Sequence, residues 1–215
     1  MSSERVVLFD FDGVILKSAE KTISDVKKVF EMHELFVPKD GDFEGLLGLK
    51  IKDIIGNFVD DPVLLDKIYE TYRDLTIKTV TEIPLFDGAK EVLETLKEKG
   101  YKLGLVTSRG GEGVIKLLDH YGFHEVFEVV IHRESITNHK PHPEGLNVAL
   151  ALLKASPQNA IYIGDMPSDA EASHNAGMDC LIITNGSSTF EVRGNVVFLE
   201  TIGELPQYLD DRAEW

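Results

Sequence analysis

Cysteine is almost missing from this sequence. The single thiol, Cys180, excludes an internal disulfide and any multi-cysteine metal site. Basic residues are few beside acidic ones, 22 against 37, which leaves a net charge of −15. A chain this acidic has no general attraction for phosphate backbones, so nucleic acid is not the expected partner. The pI near 4.8 argues in the same way against docking on anionic membranes. No apolar run approaches the ~20 residues of a membrane span. The start, Met1 to Arg5, is short and polar and passes straight into a strand-like run, without a leader pattern. Repeats, low-complexity tracts and Pro/Gly linkers are also missing. What remains is a normal globular mixture, 43% hydrophobic and 27% charged. Its 215 residues suit one domain, or one domain with a smaller insert. The expected setting is soluble, reducing and cytoplasmic.

Continuous apolar runs recur along the chain. Val6-Val7-Leu8-Phe9, Leu103-Gly104-Leu105-Val106, Ile161-Tyr162-Ile163 and Cys180-Leu181-Ile182-Ile183 read as strands covered on both faces. Phe127 to Ile131 and Val196 to Leu199 are weaker candidates. Between them lie helical spacings: Ala89, Val92, Leu93 and Leu96, closed by Gly100; then Val114, Ile115, Leu117, Leu118 and Tyr121, closed by Gly122. Pro143 opens a third, through Leu146, Ala149, Leu150 and Leu153. Strands alternating with helices imply right-handed crossovers and an α/β fold, a doubly wound, Rossmann-like parallel sheet. The alternation breaks between Asp10 and Leu85, too long a gap for a simple crossover. Helical patterns fill it at Val26, Val29 and Phe30, from Leu46 to Phe58, and at Leu64, Leu65, Ile68, Tyr72 and Leu75. We therefore expect an all-helical insert over residues 17–82 within an α/β core of residues 1–16 and 83–215, placed to sit over the first strand's carboxyl end.

Three of the expected strands end in residues able to do chemistry: Asp10-Phe11-Asp12-Gly13, Thr107-Ser108-Arg109, and Gly164-Asp165 with Asp169 four residues on. In open α/β sheets such ends face one crevice. Any one of these residues alone reads equally as a helix cap or turn former; three at one edge point to a site. Asp10 and Asp12 stand at i and i+2, on one side of an extended chain. Paired carboxylates after an apolar run suggest a divalent cation, and an all-oxygen set suits Mg²⁺. Asp165 and Asp169 bring further carboxylates. Lys140, stiffened by the prolines of Lys140-Pro141-His142-Pro143, is the natural counter-charge. Thr107 and the amides after it suit phosphate oxygens at a helix start.

These motifs resemble the haloacid dehalogenase superfamily, in its phosphoglycolate phosphatase and β-phosphoglucomutase-like branch. Asp10-Phe11-Asp12-Gly13-Val14 is similar to the first motif, Thr107-Ser108 to the second and Lys140 to the third. Gly164 to Asp169, running on to Met178, is similar to the fourth, and the helical insert corresponds to the family's cap domain. The resemblance implies a Mg²⁺-dependent phosphatase acting on a small phosphorylated metabolite, phosphoglycolate-like or a sugar phosphate, through an aspartyl-phosphate. By the same resemblance Asp10 is the nucleophile and Asp12 the general acid and base. Mg²⁺ is held by Asp10, Asp165 and the backbone carbonyl of Asp12, with Asp169 direct or through water. Thr107, the Ser108 amide and Lys140 bind the phosphoryl oxygens. Lys17 departs from the pattern, standing where many relatives carry an acid.

Other residues divide between plain and functional readings. Arg109 follows the second motif, within reach of a leaving group. Lys50, in Gly45-Leu46-Leu47-Gly48-Leu49-Lys50, stands where the family has a substrate-specificity loop; Lys50 or Lys52 would meet a carboxylate or second phosphate, or else lie on a solvated helix face. His132, His139 and His142 match no strong zinc spacing. Cys180 reads as an inert core thiol, and Trp215 ends a polar tail. A phosphomutase is the first alternative. A phospho-accepting signalling receiver shares the Asp, Thr/Ser, Lys and Mg²⁺ set but lacks the large insert. Phosphonate hydrolysis would need a Schiff-base lysine in the insert, and dehalogenation needs no metal.

Overall fold

The structure, a computed structural model, describes residues 5–47 and 49–212. Gly48 and Trp215, both singled out above, lie outside the described residues. In chain order the elements are β1 (Val6–Phe9), α1 (Ala19–Met32), α2 (Ile51–Gly56), α3 (Pro62–Thr79), α4 (Ala89–Glu98), β2 (Lys102–Val106) and α5 (Gly111–Tyr121). They continue with β3 (Val129–Ile131), α6 (Glu144–Leu153), β4 (Ala160–Gly164), α7 (Pro167–Ala176), β5 (Asp179–Ile183), β6 (Val196–Leu199) and α8 (Leu205–Asp211). None of the described helices is long and apolar enough to cross a membrane.

The chain divides into two compact units. One takes in the chain up to Leu16 and again from Leu85; the other is Lys17–Pro84. The second boundary falls after Pro84 rather than after residue 82. The two connecting segments pair there, with Lys17 N donating to Pro84 O at 2.8 Å and a bridge between Leu16 and Leu85.

The first unit is a six-stranded sheet in the order β3-β2-β1-β4-β5-β6, parallel throughout. Successive side chains of a strand point to opposite faces. Val6, Leu8, Ala160, Tyr162, Cys180 and Ile182 pack on one face with Leu146, Ala149 and Leu150 of α6 and Ala170 and Ala172 of α7. Val7, Phe9, Leu103, Leu105, Ile161 and Ile163 alternate with them and are fully buried on the other. Helices cover both faces, which is why these strands read as continuous apolar runs rather than as alternating ones.

The helical unit has a core of its own: Val26, Val29 and Phe30 of α1, Ile54 and Ile55 of α2, Ile68 and Tyr72 of α3, and Phe43. Phe58 meets Phe30 and Phe43 with ring centroids 6.0 and 5.3 Å apart. Lys21 pairs with the buried Asp25 and donates to Thr79 Oγ1 at 2.8 Å, tying α1 to the end of α3. Asp61 caps α3 by accepting from Val63 N at 2.8 Å. The helix expected from Leu46 to Phe58 is shorter, Ile51–Gly56. Ahead of it the chain closes separate i to i+3 turns, Leu46 N to Phe43 O and Leu49 N to Leu46 O, and Lys50 is extended. An apolar pattern alone does not tell a run of such turns from a helix.

Leu8 is fully buried at the centre of the sheet. We expect Leu8→Ala to lower folding stability by about 2–5 kcal/mol. A urea midpoint unchanged from the parent would show that the sheet is not packed as described.

Candidate active site

The strand order reverses between β1 and β4, and the crevice at such a reversal opens beyond the carboxyl ends of the strands. Asp10 follows β1 directly, and its amide still donates to Ile163 O of β4 at 2.8 Å. Asp165 follows β4, and Thr107 follows β2 with its amide on Ile131 O of β3 at 2.9 Å. The sheet's own hydrogen bonds therefore set the spacing of Asp10 and Thr107, while the Asp165 amide donates to Asp169 Oδ2 at 3.2 Å.

Asp10, Asp165 and Asp169 each offer a carboxylate oxygen, and the three oxygens lie within 4.8 Å of one another. Lys140 Nζ donates to Asp10 Oδ2 and Asp169 Oδ1, both at 2.7 Å, and to Tyr162 Oη at 3.0 Å. Tyr162 Oη donates to Val106 O at 3.0 Å, which fixes the phenol. Asp169 has two tasks: its Oδ2 accepts from Met166 N at 2.9 Å at the start of α7, while its Oδ1 holds Lys140. The helix-cap reading of this aspartate is met, and the same side chain also holds Lys140.

Two glycines make the close approach. A Cβ on Gly13 would lie 1.9 Å from Asp165 Oδ2, and the backbone there has φ +74°. A Cβ on Gly164 would lie 2.3 Å from that of Asp169.

Asp12 departs from the expected side-by-side pair, and its carboxylate stands outside the three-aspartate group. The chain leaves strand geometry at Asp10 and closes a turn, with Ile15 N and Leu16 N both donating to Phe11 O, so the two-residue period does not carry through. The Asp12 carboxylate instead receives Arg109, from Nε to Oδ2 at 3.0 Å and from Nη2 to Oδ1.

Thr107 is buried and Ser108 exposed. Thr107 Oγ1 accepts from Arg109 N at 3.1 Å. Of the amides after Thr107, that of Arg109 is therefore taken, and so is that of Gly111, first residue of α5, which donates to Glu134 Oε2 at 2.8 Å. Burial alone would raise the Glu134 carboxyl, but this amide, Arg133 and His132 hold it down to about 2. Lys50 belongs to the helical unit, exposed at the N-cap of α2. Lys52 pairs with Asp66, and Lys17 with Glu20 at 3.3 Å. His132 Nδ1 meets Glu134 at 3.0 Å, while His142 Nδ1 accepts from Glu144 N. Cys180 is a buried thiol that burial pushes up to about 12, and a thiol that stays protonated is inert. Sequence reasoning missed Tyr162 and Glu134. Tyr162 reads as one more apolar strand residue, and Glu134 acts across a 23-residue separation.

The electrostatics test whether a cation fits. Burial raises the Asp165 carboxyl to about 9, with Asp169 and Asp10 adding repulsion. Burial likewise raises Asp10 to about 6 despite Lys140. Burial would lower Lys140, yet Asp10 and Asp169 hold it well above its ordinary value. One ammonium cannot neutralise three carboxylates, and the remaining oxygens are hard donors of the kind Mg²⁺ takes. The donor set fits a divalent cation.

Residues 7–183 match the family described as haloacid dehalogenase-like hydrolase. A pyrophosphatase named PpaX from Listeria monocytogenes serotype 4b is 32% identical over 172 residues, 79% of this chain and 78% of that protein. The PpaX of Bacillus cereus is 27% identical over 209 residues, covering 95% and 96%. Among solved structures, a subfamily IA hydrolase of that superfamily from Geobacter sulfurreducens superposes with TM-score 0.80 at 21% identity, over 97% of this chain and 99% of that one. CbbY from Rhodobacter sphaeroides, solved with phosphate, gives TM-score 0.79 at 21% identity, over 94% and 96%. The chain belongs to the haloacid dehalogenase-like hydrolases, a family of enzymes.

The raised carboxyls fix the sign of a pH effect. Asp165 ordinarily titrates at 3.8 and here at about 9, so the metal-free fold binds the extra proton. Its stabilising share is complete below pH 3.8 and is lost as pH rises towards 9. We expect the thermal midpoint in EDTA to fall with pH across this window, and saturating Mg²⁺ to raise it most at the alkaline end. Asp165→Asn should flatten the EDTA curve and lift its alkaline end, by roughly 2–4 °C for each kcal/mol of repulsion removed. Parallel curves with and without Mg²⁺ would remove the cation from this site.

Proposed function

We propose that this chain is a Mg²⁺-dependent phosphatase of small phosphorylated metabolites that works through an aspartyl-phosphate on Asp10. The observation that carries the reading is the Asp10 carboxylate, held by Lys140 at 2.7 Å within reach of Asp165 and Asp169 at the strand reversal. Asp10, Asp165 and the backbone carbonyl of Asp12, with Asp169 direct or through water, would hold Mg²⁺. When bound, the ion would supply the charge neutralisation that lets a dianionic phosphoryl group approach four carboxylates.

This chain's own residues do the rest. An Asp10 oxygen attacks phosphorus, an O–P bond forms, and the bond to the leaving oxygen breaks. Asp12 gives that oxygen a proton, then takes one from the water that attacks the aspartyl-phosphate; phosphate leaves and Asp10 is restored. Lys140, Thr107 and the Ser108 amide bind the phosphoryl oxygens. Lys140 is already in place before substrate arrives, so little reorganisation opposes the reaction. Phosphoglycolate-like compounds and sugar phosphates are the first substrates to try, and the relatives named pyrophosphatases add inorganic pyrophosphate.

The test is phosphate release from a panel of such compounds, in Mg²⁺ or EDTA. We expect Mg²⁺-dependent release that Asp10→Asn lowers by roughly a thousandfold or more. Isomerisation of a sugar phosphate without net phosphate release would overturn the hydrolytic reading in favour of a mutase. Release that survives Asp10→Asn would remove the aspartyl-phosphate.

A further inference from the structure

The turn after β1 is loose at one residue. Gly13 cannot carry a side chain, since a Cβ there would meet Asp165 Oδ2, and its φ of +74° lies where glycine moves freely. It also follows the Asp12 carbonyl that the proposed function assigns to Mg²⁺. A carboxylate swings on its side-chain dihedrals to meet an ion. A backbone carbonyl moves only with its peptide plane, so it is placed by whatever holds the peptides beside it. Gly13 N donates to Leu16 O at 2.9 Å, which holds the peptide on the Asp12 side. The peptide on the other side is held from across the sheet: Asn185 Nδ2 donates to Gly13 O at 2.8 Å.

Asn185 is built for this reach. It follows β5, which β4 separates from β1, so the bond spans the strand between them. Its backbone is left-handed, with φ +47°, a conformation that asparagine adopts more readily than most residues. Thr184 N and Asn185 N extend the β5–β6 pairing, donating to Leu199 O and Glu200 O at 2.9 Å. Ser187 N then closes a turn on Thr184 O at 2.8 Å. The carboxamide therefore projects from a fixed backbone. Asn185 is exposed, and a solvated hydrogen bond contributes little to folding, so its effect is on position.

We propose that Asn185 is a positioning residue for the cation site. Its amide fixes Gly13, and through it the Asp12 carbonyl, beside Asp165. Mg²⁺ demands near-ideal ligand placement, whereas Ca²⁺ tolerates a flexible set. Asn185 therefore favours Mg²⁺ over Ca²⁺. The inference rests on the reading of Mg²⁺ at this group.

The experiment measures binding, not turnover. Magnesium chloride or calcium chloride is titrated calorimetrically into the full metal-free chain. Asn185→Gly keeps the left-handed backbone and removes only the carboxamide. It should weaken Mg²⁺ by roughly tenfold or more, as for other lost partners that orient a metal ligand, and Ca²⁺ by clearly less. Asn185→Asp keeps the size of the side chain but presents an acceptor to Gly13 O. Its added charge acts on both ions alike, so the ratio of Mg²⁺ to Ca²⁺ affinity should fall in this variant too. That ratio is the readout a merely structural role leaves alone. A ratio unchanged in Asn185→Gly, whether or not its thermal midpoint falls, overturns the role of Asn185, while Mg²⁺ binding by the wild type keeps the cation reading intact. A wild type that binds neither ion overturns both.

Discussion

The site depends on one buried ammonium. Lys140 reaches from the loop between β3 and α6 to Asp10 after β1, Asp169 in α7 and Tyr162 in β4. A buried charge with paired carboxylates holds together as a set, because removing one partner strands the others, at a cost of roughly 3–5 kcal/mol. The same contact joins two neighbouring strands of the sheet and the helix that follows the second. Tyr162 extends it to β2 through Val106 O. The geometry of the crevice and the packing of the sheet edge are consequently one constraint, and Lys140 is oriented before any substrate binds.

Charge explains why the arrangement is costly without a cation. Asp10, Asp12, Asp165 and Asp169 face Lys140 and Arg109. Four negative groups against two positive ones leave an excess of two, the charge a divalent ion cancels. Without it the group responds by holding protons, with Asp165 raised to about 9 and Asp10 to about 6. Gly13 and Gly164 allow this crowding, since a side chain at either would enter the space of Asp165 or Asp169. Stability is given up locally to keep a strongly anionic pocket, which is a mark of function more than of folding.

Much of this was legible from the chain alone, for physical reasons. Strands buried on both faces announce themselves as apolar runs, so β1, β2, β4 and β5 stand where Val6, Leu103, Ile161 and Cys180 begin their runs or one residue away. Parallel topology then sends the residues after those runs to one edge, which is why Asp10, Thr107 and Asp165 could be gathered without coordinates. Side-chain direction beyond a strand end is not periodic. The turn closed on Phe11 O sends Asp12 to Arg109, and no spacing rule foresees it. Tyr162 was invisible for the opposite reason: it obeys the apolar pattern completely and shows its hydroxyl only in three dimensions. Glu134 satisfies Gly111 N from a distant loop, a choice that local amide counting cannot reach.

The site is fixed by two means, burial and backbone bonding. A group that orients the reacting phosphoryl gains by being immobile, because every degree of freedom fixed beforehand is one the transition state need not restrict. Lys140, enclosed by Asp10, Asp169 and Tyr162, is such a group, and for that reason it discriminates poorly: every phosphorylated compound presents it with the same oxygens. The turn after β1 cannot be fixed in that way, because Asp12 is partly open to solvent. There the close contact with Asp165 demands that Gly13 carry no side chain, and glycine surrenders the rigidity that a side chain would give. The lost restraint has to come from elsewhere. On the proposed reading it comes from Asn185, whose own backbone is held by its bond to Glu200 O. Strand spacing thus reaches the crevice through Asp10 and Thr107 and again through the asparagine that follows β5. A ligand that cannot rotate is placed by such neighbours, and where they tighten the site an ion needing strict placement gains over one that does not.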